Sequence, residues 1–352
     1  MKFNCKGAVT ALAATAVLAL TLTGCGNVSD ADSASDSDSG STDGEFTIVT
    51  VSKVEGIPWF ERMATGVAKF GEDNASEVTT RQTGPSSGDA AQQIQIVQDL
   101  IAQDVDALVV VPNDPQSIAP VLKQARDKGI VVITHEAPAL AGTDSVDYDV
   151  EAFDNKVFGE KQAEALSKAA GGTGDYVGMV ASLTNETHMA WYNAAKDYLV
   201  ANYPDMKAVT DAPYEDNNDD ATAQSKSLEI LNAYPNLKGF LGESVSAGSN
   251  FAATLQDKNL KGISVSTLSL PSIAGPYLEG GWMSYAHAWD PAGASYAANA
   301  LALEVLKGNK PSGTADLGAD GYKTATVTDG LVTGDAILVI EPDSFSSGEY
   351  PY

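Results

Sequence analysis

Apolar and polar positions change period in a regular rhythm along this chain. Thr47-Ile48-Val49-Thr50-Val51-Ser52 is a short β-branched run, which predicts a buried strand rather than a helix. Lys53 follows, then a Gly56-Ile57-Pro58 turn, then Trp59 and Phe60 at the head of an amphipathic segment reaching about Asn74. Pro58 suits a first helical turn, where a missing N–H costs nothing. Lys53 and the two aromatics therefore fall together at the carboxyl edge of a strand, the edge at which open α/β sheets bind ligands.

The same unit recurs. Residues 78–82 predict a second strand. Residues 89–103 predict a helix with Ile94, Val97, Leu100 and Ile101 on one face. Residues 106–112 form a nearly continuous apolar strand, as expected when both sheet faces are covered. Asn113-Asp114-Pro115 reads as a helix start, with Asp114 a natural cap and Pro115 a natural first residue. Residues 130–134 deliver His135 and Glu136 to the same kind of edge, and residues 137–148, without periodicity, are expected to carry the crossover to a second lobe. The pattern then restarts. Helices are expected at 155–170, up to 203, 219–234, 247–258, 271–279 and 292–307, with strands at 175–181, 207–212, 239–242, 263–268 and 283–288. The strand edges of this half carry Asn185, Thr187 and His188, then Glu243 and Ser244, then Leu268, then Trp289 and Asp290. The tail has β-like pieces at 322–327 and 336–340. Regular βα alternation with right-handed crossovers predicts an α/β fold of two parallel sheets flanked by helices.

Composition changes the picture at the N-terminus. Lys2 and Lys6 precede an apolar run from Gly7 to Leu22, too short for a comfortable membrane span and suited to a signal peptide. It ends Leu22-Thr23-Gly24-Cys25, which looks like a bacterial lipobox and so implies cleavage before Cys25 and lipidation of its sulfur. Cys5 and Cys25 are the only cysteines, which excludes an internal disulfide, a thiolate metal site and a cysteine nucleophile in the body. The serine and aspartate run that follows cannot bury enough surface to fold. The body beyond it exceeds what one hydrophobic core organises. The expected division is a signal peptide at 1–24, an acidic linker at 25–45, lobe 1 at 46–148 with 290–309, and lobe 2 at 149–289 with 310–352. A net charge of −26 argues against nucleic acid, since nothing here neutralises phosphates.

Enzyme signatures are weak in the sequence: no phosphate loop or His-Glu-x-x-His occurs, and the Gly-x-Ser-x-Gly string Gly84-Pro85-Ser86-Ser87-Gly88 reads as a turn. His135, His188 and His287 sit on separate units without the spacing of metal ligands, so neither a metal nor a cofactor is expected. What recurs is a set of donors and acceptors at strand edges, Lys53, Glu136, Asn185, His188, Glu243 and Asp290, beside the flat faces of Trp59, Phe60 and Trp289. A small polyhydroxylated ligand needs both kinds of surface. Taken singly, each aromatic also fits core packing and Glu243 also fits a helix start.

The order of Lys53, Gly56 and Trp59-Phe60, then Gln98 to Ala107, then Asn113-Asp114-Pro115, with Leu270-Pro271-Ser272 and Trp289-Asp290-Pro291 later, resembles the sugar-binding solute receptors of bacterial ABC importers, ribose-binding-like periplasmic binding proteins of type I. Within them it is most similar to the branch of rhamnose-binding and autoinducer-2-binding proteins. The resemblance implies two Rossmann-like lobes joined by three hinge strands, with ligand trapped on closure. It implies contacts from Lys53, Trp59, Phe60, His135 and Glu136, from Asn185, Thr187, His188, Glu243, Ser244 and Leu268, and from Trp289 and Asp290. Thr187-His188 and Gly242-Glu243-Ser244 depart from the autoinducer-2 pattern, and contact changes of this kind alter selectivity strongly. The expectation is a monomeric lipoprotein outside the cell membrane, anchored through Cys25, that passes a rhamnose-like, pentose or related sugar to an ABC permease without enzymatic turnover. An autoinducer-2-type or chemosensory receptor is the alternative. Glu136→Ala is expected to weaken sugar binding at little cost in stability.

Overall fold

The computed structural model describes residues 46–346. The signal segment 1–24, Cys25, the linker to residue 45 and residues 347–352 lie outside the described residues. The first half runs β1 (Phe46–Val51), α1 (Pro58–Asp73), β2 (Val78–Thr83), α2 (Ala90–Ala102), β3 (Ala107–Val110), α3 (Pro115–Asp127), β4 (Val131–His135) and β5 (Tyr148–Glu151). The second half runs α4 (Asn155–Ala170), β6 (Gly174–Val180), α5 (Glu186–Asn202), β7 (Met206–Ala208), β8 (Tyr214–Glu215), α6 (Asp220–Ala233), β9 (Gly239–Gly242), α7 (Val245–Asp257), β10 (Ser264–Leu268), α8 (Pro271–Glu279) and β11 (Tyr285–Ala288). The chain ends in α9 (Pro291–Leu306), β12 (Gly313–Ala315), β13 (Ala325–Thr328), β14 (Leu331–Thr333), β15 (Leu338–Ile340) and α10 (Pro342–Ser346).

Among the described residues the strands form two sheets. One is ordered β12-β13-β14-β5-β4-β3-β1-β2 and the other β15-β11-β10-β9-β6-β7, with β8 added to β6. The strands β1 to β5 and β6 to β11 pair in parallel, whereas the late strands make the antiparallel pairs β12–β13, β13–β14 and β11–β15. The helices start where the sequence provides caps. Asp89, Asp114, Asp154 and Asp219 each accept hydrogen bonds from backbone N–H groups of the helices they precede. Trp59, Phe60, Met63, Gly66, Val67 and Phe70 form the buried face of α1. A Cβ at Gly66 would lie 2.0 Å from the Ala292 carbonyl oxygen, so glycine is what lets α1 and α9 approach so closely.

Two expectations fail here. Residues 137–148 do not cross over; they make a 3-10 turn (Pro138–Leu140) and return as β5 beside β4. The first passage to the other sheet follows, at residues 152–154. The tail from 310 also does not belong to lobe 2 as a block. Asp329-Gly330, both with positive φ (49° and 82°), turn β13 into β14, and β14 pairs with β5 from Leu331↔Asp149 to Thr333↔Glu151. That pairing covers an edge that would otherwise carry bare backbone groups. Only β15 joins the second sheet, antiparallel to β11. The chain thus passes between sheets at 152–154, at Trp289-Asp290 and at 334–337. The first and third passages are tied by Gly334 N–H to Glu151 O (2.9 Å) and Ala336 N–H to Ala152 O (3.0 Å).

Candidate functional site

The carboxyl edges of the two sheets face a shared cavity that is narrow in this structure, with about 20 Å³ open to the centre of a water molecule. Lys53 after β1, Trp59 and Phe60 on α1, and Glu136 after β4 line it from the first lobe. His188 on α5, Ser244 before α7 and Leu268 at the end of β10 line it from the second. Ile57, Asn218 and Val245 complete the wall; sequence reasoning did not single them out. Asn218 had a signal available, an Asn-Asn pair just ahead of the Asp219 cap, because asparagine tolerates left-handed backbone.

The polar end centres on Lys53 and Glu136, whose ammonium and carboxylate groups form an ion pair with 2% and 5% exposure. Glu136 adopts φ +60°, a left-handed conformation uncommon for a residue with a long side chain. The strand edges beneath are braced by amides: Gln93 donates to Ser52 O (2.9 Å) and Val111 O (2.8 Å), and Asn113 donates to Lys53 O (2.7 Å). Asn113 thus braces Lys53, while Asp114 is the helix cap. Because Lys53 is buried, removing Glu136 strands an uncompensated charge, so the expectation that Glu136→Ala leaves stability unchanged is corrected.

Across the cleft, Ala181 N–H donates to His188 Nδ1 (3.2 Å). This fixes the tautomer with the proton on Nε2, and burial, followed by the nearby Lys53 charge, holds the imidazole well below its usual pKa. His188 is therefore a neutral donor. Ser244 caps α7, accepting from Ala247 N–H (2.9 Å) while its hydroxyl donates to Asp216. Asp216 also accepts from Asn218 N–H (2.8 Å), so one buried carboxylate positions two cavity residues; burial pushes it up to about 7.

The remaining sequence candidates do not line the cavity. Asn185 caps α5 through His188 N–H (3.2 Å), and the Thr187 hydroxyl lies 3.1 Å from Asn185 Oδ1 and 3.4 Å from Glu136 Oε2. Thr187 therefore reaches the other lobe's carboxylate rather than open space. His135 is bound through Nδ1 to Val150 O (2.5 Å), with Nε2 3.7 Å from Glu136. Glu243, which sequence reasoning put in the site, is fully buried in the second lobe. Burial pushes it up to about 8, with partial relief from the Gln162 amide. Trp289 backs the wall edge-on, its ring 4.6 Å from that of Trp59 and 5.6 Å from that of Trp191. Asp290 caps α9 and receives both arms of Arg62, at 2.9 and 2.7 Å. Beneath the site, Asp149 and Glu151 lie two residues apart on β5, Asp149 held by the Thr134 hydroxyl (2.7 Å) and the Ala137 N–H (3.1 Å) and Glu151 by the Asn155 amide (2.6 Å). Burial raises both, and the Asp149 charge raises Glu151 further. Among the described residues no group of three or more His, Cys, Asp or Glu side chains is placed to hold a metal ion.

Two α/β lobes, three passages between them and one cavity at the facing strand edges define a hinged receptor for a small molecule. The chain belongs to the periplasmic binding protein family, whose domain profile matches residues 48–310. It is 27% identical over 199 residues to a D-ribose/D-allose-binding protein of Pseudomonas aeruginosa, covering 55% of this chain and 61% of that protein. It is 25% identical over 268 residues to a xylitol-binding protein of Mycolicibacterium smegmatis, covering 74% and 70%. Two solved structures share the fold at a TM-score of 0.78. One is LsrB of Clostridium saccharobutylicum in complex with AI-2, at 18% identity over 86% of this chain and 99% of that one. The other is an ABC transporter solute-binding protein of Clostridium phytofermentas with bound L-rhamnose, at 21% identity over 86% and 98%. Among the described residues no helix is long and apolar enough to cross a membrane.

Proposed function

We propose that this protein is an extracytoplasmic receptor for a neutral monosaccharide with one apolar end, a 6-deoxyhexose or a pentose. It would be held to the membrane by lipidated Cys25 and would release its cargo unchanged to an ABC permease. The observation that carries this reading is the division of the cavity wall. Lys53, Glu136, His188 and Asn218 offer polar groups, while Ile57, Trp59, Phe60, Val245 and Leu268 offer an apolar surface. Lys53 and Glu136 neutralise each other and His188 is uncharged, so the wall carries no spare cation for a phosphate or carboxylate. Hydroxyls suit the polar end; a methyl or a sugar C–H face suits the other. Micromolar affinity needs only about 8 kcal/mol in total.

Names of relatives add support without deciding among sugars. A thermal-shift panel of L-rhamnose, D-arabinose, D-ribose, xylitol, autoinducer-2 and a sugar phosphate tests the reading, since a ligand selective for the folded state raises the melting temperature. A rise with at least one neutral sugar and none with the phosphate is expected. A panel in which only the phosphate or only autoinducer-2 acts would overturn it.

A further inference from the structure

At the mouth of the cleft, the loop between β2 and α2 meets the loop between β8 and α6. A Cβ built on Gly88 lies 2.9 Å from the Asn217 carbonyl oxygen and 3.7 Å from its carbon, on the opposite lobe. Gly88 is exposed and its φ is outside the left-handed region, so nothing in its own lobe demands glycine. The demand comes from across the gap.

The facing turn has little room to yield. Asn217 and Asn218 have φ of 58° and 53°, consecutive left-handed residues in a conformation that isolated chains seldom hold. Asp216 N–H and Asn217 N–H donate to Val180 O (3.0 Å) and Ala181 O (2.8 Å), and Asp219 N–H donates to Asp216 O (3.0 Å). The Asp216 carboxylate closes the loop by receiving Asn218 N–H (2.8 Å). This pinned turn sends Asn218 into the ligand cavity and the Asn217 carbonyl toward Gly88.

We propose that Gly88 and the Asn217 carbonyl form the mechanical stop of lobe closure, so that a side chain at position 88 holds the lobes apart and weakens every ligand by the same factor. The inference rests on the reading of this protein as a receptor that closes over its ligand. A clash at the rim acts on the closed arrangement alone, and ligand affinity scales with access to that arrangement.

Two measurements test it. The first needs no ligand: Ser87→Cys and Asp220→Cys, on opposite sides of the same groove, are joined with a short bis-maleimide in a chain carrying Cys5→Ser and Cys25→Ser. Adding Gly88→Val is expected to slow the coupling several-fold; an unchanged rate overturns the stop. The second is calorimetry of L-rhamnose, D-arabinose and xylitol with wild type and Gly88→Ala. Each sugar that binds wild type is expected to lose about tenfold in affinity, with selectivity ratios and the ligand-free melting temperature unchanged. Unequal losses, unchanged affinity or a lower ligand-free melting temperature each overturn it. If none of the sugars binds wild type, the proposed ligand class fails and the coupling rate still decides the stop.

Discussion

Glu136 combines three features at one position: a left-handed backbone, a buried carboxylate and a buried cationic partner. Strained backbone costs on the order of 1–3 kcal/mol and persists where the surroundings over-determine it; here the ion pair and the Thr187 hydroxyl do so. Breaking a buried pair from one side costs about 3–5 kcal/mol. Glu136→Ala is therefore expected to lower unfolding free energy by roughly 3 kcal/mol as well as sugar affinity, whereas Lys53→Met with Glu136→Gln together recovers most of the stability and none of the binding. Urea melts and calorimetry on the same samples separate the two effects. His188 adds a different expectation. Its imidazole is already neutral well below its usual range, so its donor role persists through mildly acidic pH. His188→Phe keeps the stack on Trp191 (ring centroids 5.3 Å apart) but removes both the Nε2–H and the acceptor of the Ala181 N–H, and is expected to weaken binding at least tenfold.

The second sheet has a titration behaviour of its own. Glu243, just after β9, is raised to about 8 from an ordinary value of 4.5, and Asp216, after β8, to about 7 from 3.8. Both hold protons in the folded state that they would release when unfolded, so stability falls as pH rises through those windows, by up to about 1.4 kcal/mol per pH unit for each group. His287 on β11 is lowered to about 3 from 6.5 by burial, and its contribution has the opposite sign: stability is lost as pH falls below 6.5. The two tendencies oppose each other below pH 6.5, and the carboxyls act alone from there to pH 8. Scanning calorimetry is expected to show a melting temperature that declines between pH 6.5 and 8, and Glu243→Gln is expected to flatten that decline with little effect at pH 5. Glu243 also shows where sequence reading stops. It follows its strand just as Glu136 follows β4, and period and edge position are the same for both. Which of the two turns toward the cleft depends on packing beneath the sheet, where Gln162 waits for Glu243 and nothing in the local sequence says so. Asp290 was hidden likewise, since its Arg62 partner lies 228 positions away. The βα rhythm was legible because each long strand and helix carries its own period. The three- and four-residue strands of the tail carry almost none, although Asp329-Gly330 is a strong hairpin signal.

For the molecule as a whole, the rim of the cleft sets Glu55 and Asp89 of one lobe around the same groove as Asp219 and Asp220 of the other, on a chain of net charge −26. Closure brings like charges together, and salt screens exposed charges over about 10 Å at 0.1 M. Sugar binding is expected to tighten two- to fivefold between about 10 and 150 mM sodium chloride; titrations at both ends of that range check it, and a loss of affinity with added salt would mean that closure does not crowd these carboxylates. The last feature is the β14–β5 pairing. Because residues 331–333 complete a sheet begun at Phe46, a nascent polypeptide leaves the ribosome with β5 still lacking its neighbour, and the opposite half waits equally for Leu338–Ile340. Neither half is finished until residue 340 has been made. Such a chain keeps both sheets open until its last strands are made, so deleting residues 331–340 is expected to unfold both lobes together, which circular dichroism on the truncated chain checks.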